Sequence, residues 1–434
     1  MFIGPQTSIG NMYLGPWYYY LIAPSLLLAN FSPIGPAVFN ALVGVASVYF
    51  IWHLGKKWFN NKVGIISAIL ATFSPVMIKY STFSWNPNVM PLLSLLAIWF
   101  TWRVWQKDDY KSLIWLAVCI ALVLNSHYLG LLLFPVVGVF ILLKLIKLFR
   151  GKENKQQQLS FLKVGILSIG IFLLLMSPLL IFDLKHDFAN YNAFKKFFTV
   201  RQTTVNLKVY KGFTDLPILF SQLTAQTILN QDKWKYALLF LPILILGIVK
   251  TKSKQAVLLI VLWLVFGILG LGNYKQHIYA HYYLFLYPSF ILLTSLGLTK
   301  IKWIGPSIGL VITIIMISNW HGWGQPVYQL RRARNVAKFI EEKSNNQKFA
   351  LGLIAEQNYD DPYRYFLTRK KESNLVDLHN QMTDQLFVIC EPWGKVNCNP
   401  IGHEKWQIAA FGWAKIANEW QVENVQVYKL VHQE

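Results

Sequence analysis

The chain has 434 residues, of which 54% are hydrophobic and only 14% are charged. One water-soluble core cannot bury that much apolar surface, so we expect lipid to be the solvent for a large part of the chain. The net charge of +21 does not indicate a nucleic-acid partner, because the basic residues are spread over many loops and form no basic face.

The chain opens with MFIGPQTSIGN, which is neither a signal peptide nor a spanning helix, because it lacks a basic start and an apolar run. Residues 13–30 are rich in aromatic residues and are interrupted by Pro16 and Pro24. Tyrosine and tryptophan favour the level of the lipid headgroups. We therefore place this segment at the outer interface of the membrane.

Ten apolar runs then approach the roughly 20 residues that cross a bilayer. The predicted spans are 34–54, 63–79, 89–105, 112–127, 130–149, 162–182, 235–250, 255–272, 279–298 and 303–320. Alternate short loops hold most of the lysines and arginines, whereas the intervening short loops hold only Lys79 and Lys275. The positive-inside rule makes the basic loops cytoplasmic. Ten crossings therefore leave the C-terminal tail outside the cytoplasm.

Two regions fall outside this alternation. The basic outer loop 184–234 is long, and its aromatic residues favour an ordered structure. The tail after residue 320 predicts a helix at 331–342 and buried strands at 349–355 and 385–390. The predicted fold is thus an all-α polytopic membrane protein, residues 1–320, with a small extracytoplasmic α/β domain, residues 321–434.

Three cysteines are too few for a disulfide framework, and none has the spacing of zinc ligands. Cys390 and Cys398 lie in the tail, where a disulfide would persist outside the cytoplasm. The sequence leaves open whether these two are bridged, because it does not give their Cα separation.

Polar residues at the outer ends of helices are the candidate site, because a polar group at membrane depth is costly and commonly functional. In SWNPN, residues 84–88, Asn86 and Asn88 either cap the following helix or bind a sugar or phosphate. His127 lies in the tight outer turn of NSHY, residues 125–128. It is either a structural histidine or one that faces a substrate headgroup.

The sharpest group of residues is in SPLLIFDLKHD, residues 177–187. If the helix continues, Asp183 and His186 share one face at i, i+3 spacing. Such a pair is able to transfer protons, and Lys185 beside it is able to hold an anion. The alternative is a solvated helix end. We predict Asp183 and His186 as catalytic residues and Lys185 as a substrate ligand.

The outer mouth before LFLYP, residues 284–288, carries Lys275, His281 and Tyr282. An aromatic belt explains the tyrosine, but a phosphate headgroup needs the cationic groups. No phosphate-binding glycine loop, HExxH or nucleophile elbow occurs, which argues against an ATP-driven pump or a hydrolase. We expect no cofactor, and nothing in the sequence supports a divalent metal.

The runs IGPQTSIGNMYLGPWYYYLIAP, SWNPN, SPLLIFDLKHDF and HYYLFLYP occur in an order that resembles bacterial GT-C glycosyltransferases. The nearest group is the PMT/ArnT-like and RgtA/B/C/D-like set related to glycosyltransferase family 39, over roughly residues 1–320. The resemblance implies a GT-C-like transmembrane bundle in the plasma membrane. It also implies inverting transfer of a sugar from a polyprenyl-phosphate donor to a lipid, glycan or protein acceptor outside the cytoplasm.

Members of that group carry a first transmembrane helix and then an acidic motif, whose aspartate activates the acceptor. Neither precedes LGPWYYY in this sequence, and we expect both in a reading frame that starts further upstream. The resemblance therefore assigns no principal base here, and Asp183 is the nearest remaining acid. Two other classes stay open: a transporter or flippase for a lipid-linked glycan, which uncharged helix centres disfavour, and an inactive membrane scaffold.

Overall fold

The computed structural model describes residues 3–7, 12–150, 154–199, 205, 210–229, 237, 240–320, 322, 328–356, 358–369 and 373–433. The chain divides into two compact units, Met1–Trp323 and Gly324–Glu434. The first unit is helical, and the second combines helices with one sheet.

The first unit is a bundle of α-helices joined by short turns. Its helices are α1 (Trp17–Leu28), α2 (Ile34–Trp58), α3 (Asn61–Phe73), α4 (Pro75–Lys79), α5 (Met90–Lys107), α6 (Ser112–Ser126), α7 (Phe134–Arg150), α8 (Lys155–Lys185), α9 (Ala189–Thr199), α10 (Tyr210–Leu229), α11 (Phe240–Lys250), α12 (Lys254–Leu271), α13 (Tyr287–Leu298) and α14 (Ile304–Ser318). Each of the ten predicted spans overlaps a helix of this set, with α3 and α4 together taking the second span.

Length and composition mark four described segments as able to cross a bilayer on their own. They are α2, the segment Tyr128–Arg150 that ends in α7, α8 and α12. Five shorter apolar helices are α3, α6, α11, α13 and α14. The apolar runs in the sequence therefore become helices of the kind that a bilayer requires, because lipid offers no partner to an unpaired backbone group.

Helix α13 is the centre of the bundle, since every one of its residues is buried. It crosses α11 where Gly247 faces Gly297. A Cβ atom at Gly297 would lie 2.0 Å from the carbonyl oxygen of Ile243. Only glycine at this crossing allows the two backbones to approach so closely, as is common between helices in membranes.

The long segment 184–234 contains the helix α10, which the sequence did not predict. Leu219, Leu223 and Thr227 of this helix are buried in the bundle. Near its start, Gly212 lies against the last turn of α12, and near its end the carbonyl oxygen of Thr227 accepts a hydrogen bond of 2.8 Å from Ser74, just after α3. Helix α10 therefore runs between the ends of α12 and α3 that the lysine pattern assigns to the outer side.

The second unit contains the helices α15 (Gln329–Lys343), α16 (Asp361–Thr368) and α17 (Trp406–Phe411) and the strands β1 (Ala350–Ile354), β2 (Gln385–Cys390), β3 (Ala414–Val422) and β4 (Val425–His432). The sheet order is β1-β2-β4-β3. Strands β1 and β2 are parallel, and the other pairs are antiparallel. Helices α15 and α16 pack on one face and α17 on the other.

The predicted helix at 331–342 and the predicted strands at 349–355 and 385–390 correspond to α15, β1 and β2. The hairpin of β3 and β4 was not predicted. A disulfide joins Cys390 and Cys398, which resolves the alternative that the sequence left open. The predicted fold class, a helical membrane bundle followed by a small α/β region, is confirmed.

The second unit contains a buried ion pair near the C-terminal ends of its parallel strands β1 and β2. Arg332 of α15 and Glu391, which follows β2, are both buried, and their closest charged atoms are 3.5 Å apart. The carboxylate also accepts hydrogen bonds from Tyr363 at 2.6 Å and from Asn358 at 3.0 Å. Nε and Nη1 of Arg332 have no partner among the described residues. The buried guanidinium therefore depends on Glu391 for its neutralisation.

Replacing Glu391 by Ala is expected to lower the free energy of unfolding of the second unit by about 3–5 kcal/mol, because it leaves a buried charge unpaired. Pulse proteolysis of the purified full chain in urea, followed from a C-terminal tag, measures this loss. Glu342→Ala is the control, since Glu342 forms an exposed pair with Lys338 and such pairs contribute little. Equal stability of the Glu391 and Glu342 variants would contradict the assignment.

Candidate functional site

The first unit contains a cavity of about 440 Å³. Its described lining comes mainly from five segments: residues 5–7 and 12–14 at the start of the chain, residues 85–87 of SWNPN, residues 127–132 after α6, residues 194–198 of α9, and residues 270–282 from the end of α12 toward α13. The lysine pattern assigns all five to the outer side of the bundle. The cavity therefore lies where the sequence placed the candidate polar residues.

The start of the chain forms a short antiparallel ladder, which we call the N-terminal strand pair, residues 3–7 and 12–15. The amide of Gly4 donates to the carbonyl of Leu14 at 2.7 Å, and the amide of Thr7 donates to that of Met12 at 2.8 Å. A Cβ atom at Gly15 would lie 1.5 Å from the side-chain oxygen of Asn125. Glycine is therefore required where this pair meets the end of α6.

The motif SWNPN fixes one end of the cavity. The side-chain amide of Asn86 donates a hydrogen bond of 2.5 Å to the carbonyl of Ser126, the last residue of α6. Carbonyls at the end of a helix lack partners within that helix, so Asn86 both completes α6 and lines the cavity. This contact brings SWNPN next to His127, the residue that follows α6.

His127, His281 and Tyr282 form the polar wall of the cavity. The ring centroids of His127 and His281 lie 5.9 Å apart, and those of His127 and Tyr282 lie 5.5 Å apart. Both histidines lie outside the apolar helices, His127 in the turn after α6 and His281 in the 3-10 turn Ala280–Tyr283. The fold thus brings together two turns that are 154 residues apart in sequence.

The two histidines are uncharged near neutral pH. Burial lowers the pKa of His127 to about 4. Burial, and to a smaller extent the neighbouring His127 and Lys79, lowers the pKa of His281 to about 3. The amide of Leu129 donates to Nδ1 of His127 at 3.1 Å, so the neutral ring carries its proton on Nε2. In the free protein both rings are therefore neutral hydrogen-bonding groups, and the role of His281 as a substrate ligand stays a prediction.

Most of the remaining lining is apolar or aromatic. Its aromatic lobe consists of Phe194, Phe197 and Phe198, all from α9. The rings of Phe194 and Phe198 lie 4.8 Å apart. A cavity that is mostly apolar with a few convergent polar groups is the usual form of a ligand site.

Sequence reasoning missed three residues near the polar wall. The ring of Trp85 lies 4.6 Å from that of His281. The side-chain oxygen of Asn273 is buried with no partner among the described residues, and Asn273 lines the cavity. The charge of Lys79 acts on His281. The sequence contained one signal for Lys79. It is one of only two lysines in the short outer loops, and it lies just before SWNPN.

Five of the nine predicted site residues lie outside this cavity: Asn88, Asp183, Lys185, His186 and Lys275. The side-chain amide of Asn88 donates to the carbonyl of Phe83 at 2.7 Å and fastens the turn within SWNPN. Lys185, His186 and Lys275 are exposed. The other four, Asn86, His127, His281 and Tyr282, lie together on the cavity wall.

The side chains of Asp183 and His186 do not bond to each other, because His186 Nδ1 lies 2.8 Å from the carbonyl of Phe182. The Asp183 carboxylate accepts from the amides of Asn190 at 2.6 Å and Tyr191 at 3.1 Å, at the start of α9. The His186 ring instead stacks on Phe182, with centroids 4.1 Å apart. An aspartate that accepts from the first amides of a helix is an N-cap contact. The catalytic role of this pair stays a prediction.

Asp183 supports the cavity indirectly. By holding the start of α9 it holds the helix that carries the aromatic lobe. The side-chain oxygen of Asn190 accepts from the amide of Tyr13 at 2.6 Å, and the hydroxyl of Tyr128 donates to the carbonyl of Tyr13 at 2.6 Å. These contacts join α8, α9, the N-terminal strand pair and the turn after α6 into one frame around the cavity.

Among the described residues, no three histidine, cysteine, aspartate or glutamate side chains are grouped as metal ligands. The expectation that no cofactor is needed stays a prediction.

Residues 14–182 match a family model described as dolichyl-phosphate-mannose-protein mannosyltransferase. The fold is similar to that of ArnT from Cupriavidus metallidurans in the apo state, with a TM-score of 0.60, 10% identity, and coverage of 96% of this chain and 88% of that one. For the same protein bound to undecaprenyl phosphate, the TM-score is 0.58 at 11% identity, with coverage of 96% and 89%. The comparison with curated proteins found no match.

Replacing Asp183 by Ala is expected to loosen the start of α9, because two backbone amides lose a charged acceptor, at a cost of about 1–2 kcal/mol. Hydrogen exchange of residues 189–199 in the full chain measures the effect, and Asp183→Asn is expected to give a smaller one. Lys185→Ala, on the exposed side of the same turn, is the control. Unchanged exchange in the Ala variant would show that Asp183 does not hold the start of α9.

Proposed function

We propose that this chain is a PMT/ArnT-like glycosyltransferase of the GT-C superfamily that moves a sugar from a polyprenyl-phosphate-linked donor. The acceptor would be a lipid, glycan or protein on the extracytoplasmic side of the plasma membrane. The family model that matches residues 14–182 and the ArnT-like fold support the general class, a GT-C glycosyltransferase. The observation that carries the finer proposal is the cavity that joins an aromatic lobe to a polar wall.

The two parts of the cavity suit the two parts of such a donor. The aromatic lobe of α9 offers an apolar surface for the isoprenoid units next to the phosphate. The polar wall offers ring N–H groups from His127 and His281 for the phosphate oxygens, and Asn86, which also lines the cavity, offers its side-chain amide. The ArnT structure bound to undecaprenyl phosphate supports this proposal, since a protein with a fold of the same kind binds a polyprenyl phosphate.

Transfer places negative charge on the departing phosphate, and fixed hydrogen-bond donors near that position lower the barrier. We assign this role to His127 and His281, with Lys79 as the nearby cation. Histidines with pKa values of about 4 and about 3 are weak bases near neutral pH. None of the described lining residues is acidic. We therefore do not assign deprotonation of the acceptor to these histidines.

The extracytoplasmic placement rests on the distribution of charge. Lysines and arginines gather at the ends of α2, α5, α7, α11 and α14 that lie away from the cavity. Short loops that are rich in these residues face the cytoplasm. The cavity would therefore open on the opposite side, where the C-terminal unit would also lie.

Replacing His281 by Ala is expected to lower kcat for sugar transfer by about 100-fold, as loss of one donor to developing charge does elsewhere. The assay uses the purified full chain in lipid vesicles with a radiolabelled polyprenyl-phosphate sugar and extracted membranes as acceptor. His186→Ala is the comparison, because His186 is exposed outside the cavity, and little change is expected.

Two outcomes would contradict this site. Full activity of His281→Ala in a protein that accumulates normally would remove the polar wall from the reaction. An equal loss of activity in His186→Ala would indicate that the reaction takes place near the end of α8 and not at the polar wall.

The pH dependence follows from the lowered pKa values. His127 and His281 stay neutral in the free protein above about pH 5, so they should add no ionisation to kcat/KM between about pH 5 and pH 8. As the pH falls toward about 4, protonation of His127 should first appear. A midpoint near pH 6.5 in kcat/KM that disappears in His127→Ala or His281→Ala would contradict this environment.

A further inference from the structure

The second unit carries an open cleft on the edge of its sheet, away from the buried Arg332–Glu391 pair. Strand β1 is the edge strand, and among the described residues its outer side has one bridge, between Phe349, just before the strand, and Leu375. Beyond that bridge, residues 376–379, the start of α17 and Arg364 of α16 surround a cavity of about 150 Å³. We call this cavity the edge-strand cleft.

The volume limits what the cleft can hold. Its volume is about a third of that of the cavity in the first unit. A cleft of this size suits one small ring better than an extended ligand. The cleft is also open to solvent at Trp406, which is 43% exposed.

The polar side chains around the cleft are planar groups, Arg364, Asp377, His379 and Gln407. Arg364 donates hydrogen bonds, Asp377 accepts them, and His379 and Gln407 do both. The charge of Arg364 is already balanced, because its Nε donates to Asp360 at 2.5 Å. Asp377 adds a carboxylate, whose Oδ1 accepts from the amide of His379 at 3.0 Å. The cleft has no excess positive charge among these groups, so its chemistry favours a neutral polyhydroxyl ligand over an anion.

One aromatic platform is fixed beside these groups. The indole of Trp406 stacks on the ring of His379, with centroids 3.7 Å apart and planes inclined by 14°. The stacking holds the indole in place, while much of it stays exposed. A rigid, half-exposed aromatic ring offers apolar area at low entropic cost. Planar polar groups beside such a ring match the alternating hydroxyl and C–H surfaces of a sugar.

We propose that the edge-strand cleft binds a single neutral sugar ring, such as one residue of a glycan. Hydroxyl groups of the sugar bond to Arg364, Asp377 and Gln407, and its C–H face packs on Trp406. This site lies within the second unit and does not depend on the cavity of the first unit. It gives the chain a glycan-binding function in addition to sugar transfer.

The test uses the purified full chain in a detergent without a sugar headgroup, with saturation-transfer NMR and calorimetry. The probes are the methyl glycosides of glucose, galactose, mannose and N-acetylglucosamine, with inorganic phosphate and glucuronate as the anionic comparison. Saturable binding of at least one neutral glycoside is expected, in the millimolar range for so few contacts. Trp406→Ala should weaken it at least tenfold, and Gln407→Ala should weaken it less.

Trp413→Ala is the matched control, because Trp413 is 88% exposed and lies outside the cleft, and binding should be unchanged. The proposal is overturned if no neutral glycoside binds, if only phosphate or glucuronate binds, or if Trp406→Ala binds as well as Trp413→Ala. His281→Ala separates the two sites. Loss of transfer in that variant with retained glycoside binding supports both, whereas a wild-type chain that binds glycoside but transfers no sugar refutes only the proposed transfer.

Discussion

The ends of helices need partners for their unpaired backbone groups, and in the first unit these partners surround the cavity. Asn86 supplies a donor to the last carbonyl of α6, and Asp183 supplies an acceptor to the first amides of α9. In the N-terminal strand pair, the hydroxyl of Tyr128 donates to the carbonyl of Tyr13, and the side-chain oxygen of Asn190 accepts from its amide. The contacts that complete the secondary structure are thus the contacts that shape the site, and a polar residue near the cavity need not touch a substrate to matter.

The same burial that shapes the cavity sets its chemistry. Two histidines lie together where protonating either one is unfavourable, because burial lowers the pKa of both and His127 lowers that of His281 further. In the proposed reaction the polar wall would bind a phosphate through directed N–H groups, with Lys79 supplying the full positive charge. This division suits a reaction in which negative charge grows on the leaving group, because the donors are in position before that charge develops.

The second unit combines rigidity and access in one small sheet. The buried Arg332–Glu391 pair and the Cys390–Cys398 disulfide fix the loops that follow the parallel strands. At the free edge of β1, by contrast, Trp406 and His379 remain exposed while stacked on each other. A platform of this kind keeps its shape without a ligand, and little ordering entropy is then lost on binding.

The sequence by itself determined the class of protein, the helices that become the spans, the start of the C-terminal α/β unit and the resemblance to PMT/ArnT-like proteins, because long apolar runs and motif order are local signals. It also identified Asn86, His127, His281 and Tyr282. Only the tertiary structure decided which polar residues share a cavity. Asp183 and His186 are neighbours in sequence but turn to different partners, whereas His127 and His281 meet across the bundle. Their neutral state also depends on burial, which no local pattern encodes.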